Sequence, residues 1–252
     1  MSAEIPVSSP PDGWQAQSLQ LVVFTMEPQS VPKPEWFSMI TGLDAETVTK
    51  KFRREDSAEI DGRQITLVSD LARITWGETA IMDADNPPVG IPSLGPLAKA
   101  TGRFGKMVRE WLPHCPPIHR LGLTGRVLRH TPTRIASYEL LDKYLQDVKV
   151  DGNSSSDFLY RINRRRKSIT LPGRDINRLS TWTSMKFSVA RTELVGGAQP
   201  MVYTEEYSAC SIDLDINTSH ETTEALPHEC LIALMDELLS LGVEIAEKGD
   251  IP

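Results

Sequence analysis

Alternating and helical spacings of apolar residues divide most of the chain into strands and helices. Two long segments, Ile176–Arg191 and Tyr203–Asn217, alternate between apolar and polar positions, which is typical of half-buried antiparallel strands. Apolar residues recur at helical spacing in Leu97–Trp111 and His228–Lys248, and each pattern predicts an amphipathic helix. Further strands are expected at Leu19–Met26, Ile118–His130, Phe158–Ile169 and as a pair over 57–76, and further helices at Pro34–Ile40 and Ser137–Val148.

Two details of this pattern bear on the fold. Residues 42–56 are ambiguous, and Asp44 followed by Glu46 is suited to cap a short helix that continues through Phe52. In Ile176–Arg191, odd positions are predicted to face the core and even positions, which include Arg178 and Trp182, to face outward. The residues predicted to face the core are Leu179, Met185, Phe187 and Val189.

These elements predict an α+β fold, mainly an antiparallel sheet with helices packed on one face. The two halves of the chain repeat a similar order of elements, which indicates an internal duplication of a β-α-β-β-α unit. Residues 1–14 are rich in serine and proline and predict a flexible tail. The rest of the chain divides into an N-terminal half, 15–113, and a C-terminal half, 114–252, which we expect to share one core.

Composition limits the class of protein. The 252 residues, 40% hydrophobic and 24% charged, suffice for a folded core and exclude a disordered or collagen-like chain. The three cysteines contain no CxxC spacing, which argues against a zinc cage and a disulfide framework. The sequence has no signal-peptide pattern and no apolar run of membrane-spanning length. We therefore expect a cytoplasmic protein without membrane contact and without a cofactor.

Charge is distributed unevenly along the chain. Residues 1–98 carry a net charge of −7, residues 99–191 of +12 and residues 192–252 of −12. Because guanidinium groups bind phosphates and aromatic rings stack on bases, a dense basic cluster on one predicted hairpin is a candidate site for a nucleic acid or nucleotide. The alternative is that these cations pair with the acidic strand that follows. This basic hairpin comprises Arg161, Arg164, Arg165, Arg166, Lys167, Arg178 and the aromatic Trp182.

Asp213 and Asp215 form a second candidate site. They lie two residues apart on a predicted strand, so both carboxylates face the same side, an arrangement suited to holding Mg²⁺ or Mn²⁺ against a phosphate. Among enzyme classes this spacing favours a divalent-metal phosphodiesterase. The simpler interpretation is an amphipathic strand whose aspartates pair with arginines of a neighbouring strand. No catalytic residue is assigned.

Two segments carry a resemblance to a known family. The mid-chain strand Ile118-His119-Arg120-Leu121-Gly122-Leu123 and the late acidic strand Ser211–Ile216, followed by a leucine-rich helix, resemble a sporadically distributed bacterial family of similar length and unknown function. The resemblance covers the second half of the chain. Where that family continues with an aromatic residue and an asparagine, this chain has Thr124-Gly125-Arg126. The resemblance implies no activity and no catalytic residue.

The leading interpretation is a non-catalytic binding or regulatory protein that acts through charged surfaces in protein–protein contacts. The partner would be another protein or a second copy of the chain, because the basic and acidic blocks complement each other. One alternative is a nucleic-acid or nucleotide binder that uses the basic hairpin. The other is a divalent-metal phosphodiesterase that uses Asp213 and Asp215.

Overall fold

The strands are the main elements of the fold. The computed structural model describes residues 13–28, 35–81, 91–193, 201–221 and 223–252. Ten strands lie in these residues: β1 (Gln15–Thr25), β2 (Glu46–Lys50), β3 (Arg53–Ile60), β4 (Arg63–Ser69), β5 (Arg73–Ala80), β6 (Ile118–Thr131), β7 (Leu159–Asn163), β8 (Arg166–Lys167), β9 (Asp175–Glu193) and β10 (Met201–Thr218). The α-helices are α1 (Glu35–Thr41), α2 (Leu97–Trp111), α3 (Arg134–Tyr144) and α4 (Leu231–Lys248).

All ten strands belong to one antiparallel sheet. Its order is β2-β3-β4-β5-β1-β6-β10-β9-β7, and the short β8 pairs with another part of β9. The first strands of the two halves, β1 and β6, are neighbours at the centre, where Leu21 pairs with Leu123. The last strand of each half then pairs with the first, because β5 lies beside β1 and β10 lies beside β6. Strands from both halves thus meet along one central seam.

One face of the sheet carries the main core. Trp76, Leu21, Leu123 and Ile216 are paired side by side across β5, β1, β6 and β10, so their side chains share this core face. All four α-helices of the described chain pack on this face. Phe37 of α1 and Trp111 of α2 contact Trp76, with ring centroids 6.1 and 6.0 Å from the centroid of Trp76. In α4, the backbone at Gly242 approaches Ile216. In α3, Tyr144 stacks on Trp182 of β9, with centroids 5.7 Å apart.

The predicted fold class, α+β with a duplicated β-α-β-β-α unit, is wrong. Strand residues outnumber helix residues, because one ten-stranded antiparallel sheet runs through both halves. In its described residues each half contains a strand, a helix, four further strands and a helix, which is two strands more than the predicted unit. Part of the error lies in residues 42–56, where the helix suggested by Asp44 is absent and β2 and β3 form a hairpin instead.

The predicted orientation of β9 is also wrong. The even positions face the core, where Ile176, Arg178, Ser180 and Trp182 are buried. The odd residues Met185 and Phe187 are only partly buried and pack on the opposite face with Leu128 and Ala209. The side chain of Val189 lies outside the described part. Trp182 determines the orientation, because it fills the space beside the rings of Trp14 and Tyr144.

The core is continuous between the two halves. Buried apolar residues of 15–113 and of 114–252 form a single contact cluster that includes Trp76, Trp111, Leu123 and Leu238. Residues 1–12 of the predicted tail lie outside the described residues, whereas Trp14 at its end is buried and β1 begins directly after it. The start of α3 also differs from the predicted start at Ser137, since the hydroxyl of Thr133 accepts the capping hydrogen bond and the helix begins at Arg134.

Candidate functional site

Three arginines of the basic hairpin have carboxylate partners in distant parts of the chain. Arg164 Nε donates to Asp250 at 3.0 Å, and this hydrogen bond raises the pKa of the guanidinium. Arg165 pairs with Glu221, and Arg166 Nη1 lies 2.7 Å from Glu244. These carboxylates lie just after β10, on α4 and near the chain end. The apolar–polar alternation of the hairpin does not indicate that such distant residues are its partners. The field that these arginines present to solvent is therefore reduced by neighbouring negative charge.

Arg178 and Trp182 were expected on the outer face of the hairpin, and this expectation is wrong. Both side chains are buried, with exposures of 1% and 0%. Arg178 lies 3.4 Å from Glu244 and donates to the carbonyl of Ile251. Burial, followed by the charge of Arg166, lowers the pKa of Arg178, and the charge of Glu244 opposes this change. Neither side chain is accessible to a nucleic acid without rearrangement.

The two remaining hairpin cations are exposed. Lys167 pairs with Asp175 at 2.7 Å, at the short β8–β9 ladder. Arg161 lies on β7 at the sheet edge, and within the described ranges no ion pair is seen for it. The structure thus separates the predicted basic cluster into an edge residue, a set of internal ion pairs and two buried side chains. A nucleic-acid or nucleotide site on this hairpin stays a prediction.

Asp213 and Asp215 lie on the same face of β10, as their spacing indicates. Arg126 on β6 binds Asp213 through two hydrogen bonds of 2.6 and 3.0 Å. Asp215 accepts a 2.7 Å hydrogen bond from the amide of Asn217. Among the residues that the structure describes, no three His, Cys, Asp or Glu side chains are grouped so that they could hold a metal ion. Asp213 already has a cationic partner, and a metal-dependent activity stays a prediction.

The face that carries these aspartates is opposite the core face, and we name it the open face. Its apolar cluster beside Leu128 contains no helix residue, whereas the helices of the described chain contribute to the cluster on the core face. A shallow cavity of about 450 Å³ lies at its centre, across β5, β1, β6 and β10. The side chains around this cavity are mainly polar and include Gln20, Thr79, Thr124, Arg126 and Asp213.

A row of hydrogen-bonded side chains crosses another part of the open face, from β7 to β1. The amides of Asn163 and Asn177 are 3.0 Å apart, and Asn177 donates to Asn217 at 3.0 Å. Arg120 on β6 donates to Asn217 at 2.9 Å and stands over the ring of Phe24, 5.2 Å from its centroid. We name this row the asparagine row. It links β7, β9, β10, β6 and β1 and restricts the rotamers of its members.

Gly122 makes room for the asparagine row. It pairs with Asn217 across β6 and β10, and a Cβ added at Gly122 would lie 3.2 Å from Cβ of Asn217. Any side chain here would press on Asn217 and on the backbone of the neighbouring strand. The Arg-Leu-Gly-Leu segment therefore places Arg120 and Gly122 on the open face and both leucines in the core.

The open face is not evident as a site from the sequence alone. Gln20, Arg120, Arg126, Asn177 and Asn217 belong to four strands, β1, β6, β9 and β10, and only the pairing of those strands brings them together. The available signal was the alternation of β6, in which arginine, threonine and glycine alternate with leucine. Such a pattern shows that one face is polar but does not show which strands extend it.

Two of the cysteines are unsuited to nucleophilic chemistry. Burial raises the pKa of Cys115 to about 12, and it has the same effect on Cys210. Both thiols are protonated at neutral pH and lack solvent access, whereas thiolate character and access are what make a cysteine reactive. Cys230 is partly exposed.

Comparisons with known proteins give no family. No protein-family model matches the chain, and no curated protein matches it. One solved structure, outer membrane protein AlkL determined by solid-state NMR in DMPC lipid bilayers, is similar at 11% identity with a TM-score of 0.18, over 90% of this chain and 100% of that chain. A TM-score this low does not indicate a shared fold. Within the described ranges, no helix is both long and apolar enough to cross a membrane. The bacterial family and the cytoplasmic location stay predictions.

Proposed function

We propose that this protein is a non-catalytic binding protein that contacts another polypeptide through its open face. The observation that carries this proposal is that the helices of the described chain pack on the core face, whereas polar side chains of the strands line the cavity at the centre of the open face. This face lies on a rigid sheet and extends across both halves. Surfaces of this kind place side chains at fixed distances for a partner.

The charge of the open face favours a polypeptide over a polyanion. Arg126 is neutralised by Asp213, and Arg120 lies close to Asn217, which in turn contacts Asp215. A phosphate backbone would meet both aspartates at the centre of the sheet, which is unfavourable. Hydroxyl and amide groups such as those of Thr124 and Gln20 donate and accept hydrogen bonds, and these match the backbone and polar side chains of a protein.

The proposal is tested with a phage-displayed library of random peptides selected on the folded chain. Thr124→Arg fills the central cavity of the open face, so we expect the selected peptides to lose binding at least about tenfold, a typical effect of blocking a central contact. Glu139→Arg, at an exposed position of α3 on the helix side, is the matched control and should leave binding unchanged. Peptides that bind both variants equally would contradict the proposal.

The same experiment includes a nucleic-acid arm. A labelled oligonucleotide is titrated at several salt concentrations against the native chain and against the Arg164→Ala/Arg165→Ala/Arg166→Ala variant. We expect no binding that depends on these arginines, because their charges are paired internally. Binding that falls steeply with salt and is lost in the triple variant would support the basic hairpin as the functional site and overturn the proposal.

A further inference from the structure

β2 leaves one edge of the sheet available for pairing. Among the described strands β2 pairs only with β3, and all five of its residues are exposed. An edge strand presents backbone N–H and C=O groups that can pair with another strand. Two large apolar side chains are exposed here, Val48 in the middle of β2 at 46% and Phe52 in the following turn at 68%. Edge and apolar groups together are suited to a strand-to-strand contact.

We propose that a second copy of this chain pairs with β2 in antiparallel orientation, with the two Val48 residues opposite each other. In this register Glu46 of each copy lies opposite Lys50 of the other, and Thr47 lies opposite Thr49. Opposite charges and threonine pairs are cross-strand combinations that stabilise antiparallel strands. β2 is thus complementary to its own antiparallel copy along its whole length, as a two-fold symmetric contact requires.

The other edge of the sheet, β7, is not complementary to its own antiparallel copy. If β7 paired with its own copy around its central residue, Arg161 would lie opposite Arg161 of that copy, and like charges in this position are destabilising. β7 is also held to the chain end, because Tyr160 donates to Asp250 at 2.8 Å. The two edges of the sheet therefore differ, and the complementary one is β2. This difference favours a closed dimer over an open chain of molecules.

The proposed contact keeps the two sheets in register. Paired residues of antiparallel strands lie on the same face, so the open faces of the two copies would be on the same side of a continuous sheet. Two five-residue strands bury much less surface than a standard protein interface, and the association is therefore expected to be weak. The measurement has to extend from micromolar to millimolar chain concentrations. This inference is independent of the polypeptide-binding proposal.

The test is a charge exchange followed by sedimentation equilibrium at low salt. The native chain is expected to approach twice its monomer mass as concentration rises. Lys50→Glu places two glutamates opposite each other at both ends of the pair, and Glu46→Lys does the same with lysines. Each single variant should weaken association at least about tenfold. The double variant Glu46→Lys/Lys50→Glu restores both opposite pairs and should restore the dimer.

Lys99→Glu is the matched control, because Lys99 is exposed on α2, remote from β2, and its replacement changes the net charge by the same amount as Lys50→Glu. It should associate as the native chain does. A native chain that stays monomeric at every concentration would overturn the proposal, as would a double variant that fails to recover. Growth beyond twice the monomer mass would equally contradict it. Thermal unfolding of each variant confirms that the monomers are folded.

Discussion

Replacing Glu244 by glutamine tests whether a buried cation depends on one carboxylate. Arg178 is 1% exposed, and its guanidinium has only Glu244 at 3.4 Å and the carbonyl of Ile251 at 3.3 Å as partners in the described chain. Removing one member of a fully buried ion pair costs about 3–5 kcal/mol. The side chain of Glu244 is 20% exposed, so water partly compensates the loss. We expect Glu244→Gln to lower the free energy of unfolding by about 2–3 kcal/mol.

The complementary variant removes the charge instead of its partner. Arg178→Met leaves Glu244 with Arg166 at 2.7 Å and Lys248 at 3.2 Å, so no charge is left unpaired. We expect a loss of about 1 kcal/mol or less, because an apolar side chain of similar length replaces a buried cation. Glu247→Gln, at an exposed position on the same helix, should change stability by less than about 0.5 kcal/mol.

The assay is urea unfolding at neutral pH, followed by tryptophan fluorescence. If the buried guanidinium depends on this carboxylate, Glu244→Gln is clearly less stable than Arg178→Met. Equal losses for the two variants, or a loss for Glu244→Gln no larger than that of Glu247→Gln, would show that the buried guanidinium does not need the carboxylate.

The pH dependence of the same variant follows from the titration of Glu244. Burial raises the pKa of this carboxyl, but hydrogen bonds from Lys248 and Arg166 and the charges of Arg166 and Arg178 outweigh it, so the pKa is lowered from 4.5. The stabilisation is fully present above the unfolded-state pKa and is lost as the pH falls through the folded-state pKa. The difference in stability between native chain and Glu244→Gln should therefore be constant near neutrality and shrink at pH values below 4.5.

Three further predictions follow from the fold and the open face. Trp182→Ala should lower the free energy of unfolding by about 3–5 kcal/mol. Leu179 is half-buried on the opposite face of β9, so Leu179→Ala should lower it clearly less. Equal losses in urea unfolding would contradict the orientation of β9. Gly122→Val should cost about 1–3 kcal/mol by overpacking against Asn217, and an unchanged unfolding midpoint would contradict the close approach. With Ellman's reagent, the native chain should show one reactive thiol, Cys230, and all three thiols should react only after denaturation. Fast reaction of a second thiol at neutral pH would contradict the buried positions of Cys115 and Cys210.

Elements with a strong local pattern could be predicted from the sequence. The helix at Leu97–Trp111 and the strand beginning at Ile118 have the predicted bounds within a residue or so, because their apolar stripes are long and each is bounded by proline. Residues 42–56 could not be assigned, since a capping pattern at Asp44 competes with a hairpin whose stability depends on pairing with β4. Local propensity is overridden there by the sheet.

The candidate site was harder to predict than the helices and strands, because it depends more on residues that are distant in sequence. β9 carries polar residues on both faces, so its orientation is set by Trp182 and by the partners that Arg178 finds on α4 and at the chain end. The common face of Asp213, Asp215 and Asn217 follows from spacing alone, whereas the contact of Asp213 with Arg126 follows from the pairing of β10 with β6. Pattern within one segment therefore identified single residues but not the surface that they form.

The central seam between β1 and β6 has a consequence for the integrity of the molecule. The segment Pro113–Pro117 joins the two halves in sequence, but the β1–β6 ladder and the shared core join them in space. Cleavage of the backbone within this segment would leave two fragments, each of which covers apolar surface of the other along the β1–β6 ladder and between α2 and α4. The nicked protein should therefore sediment as one particle, and separately prepared fragments should reassemble on mixing.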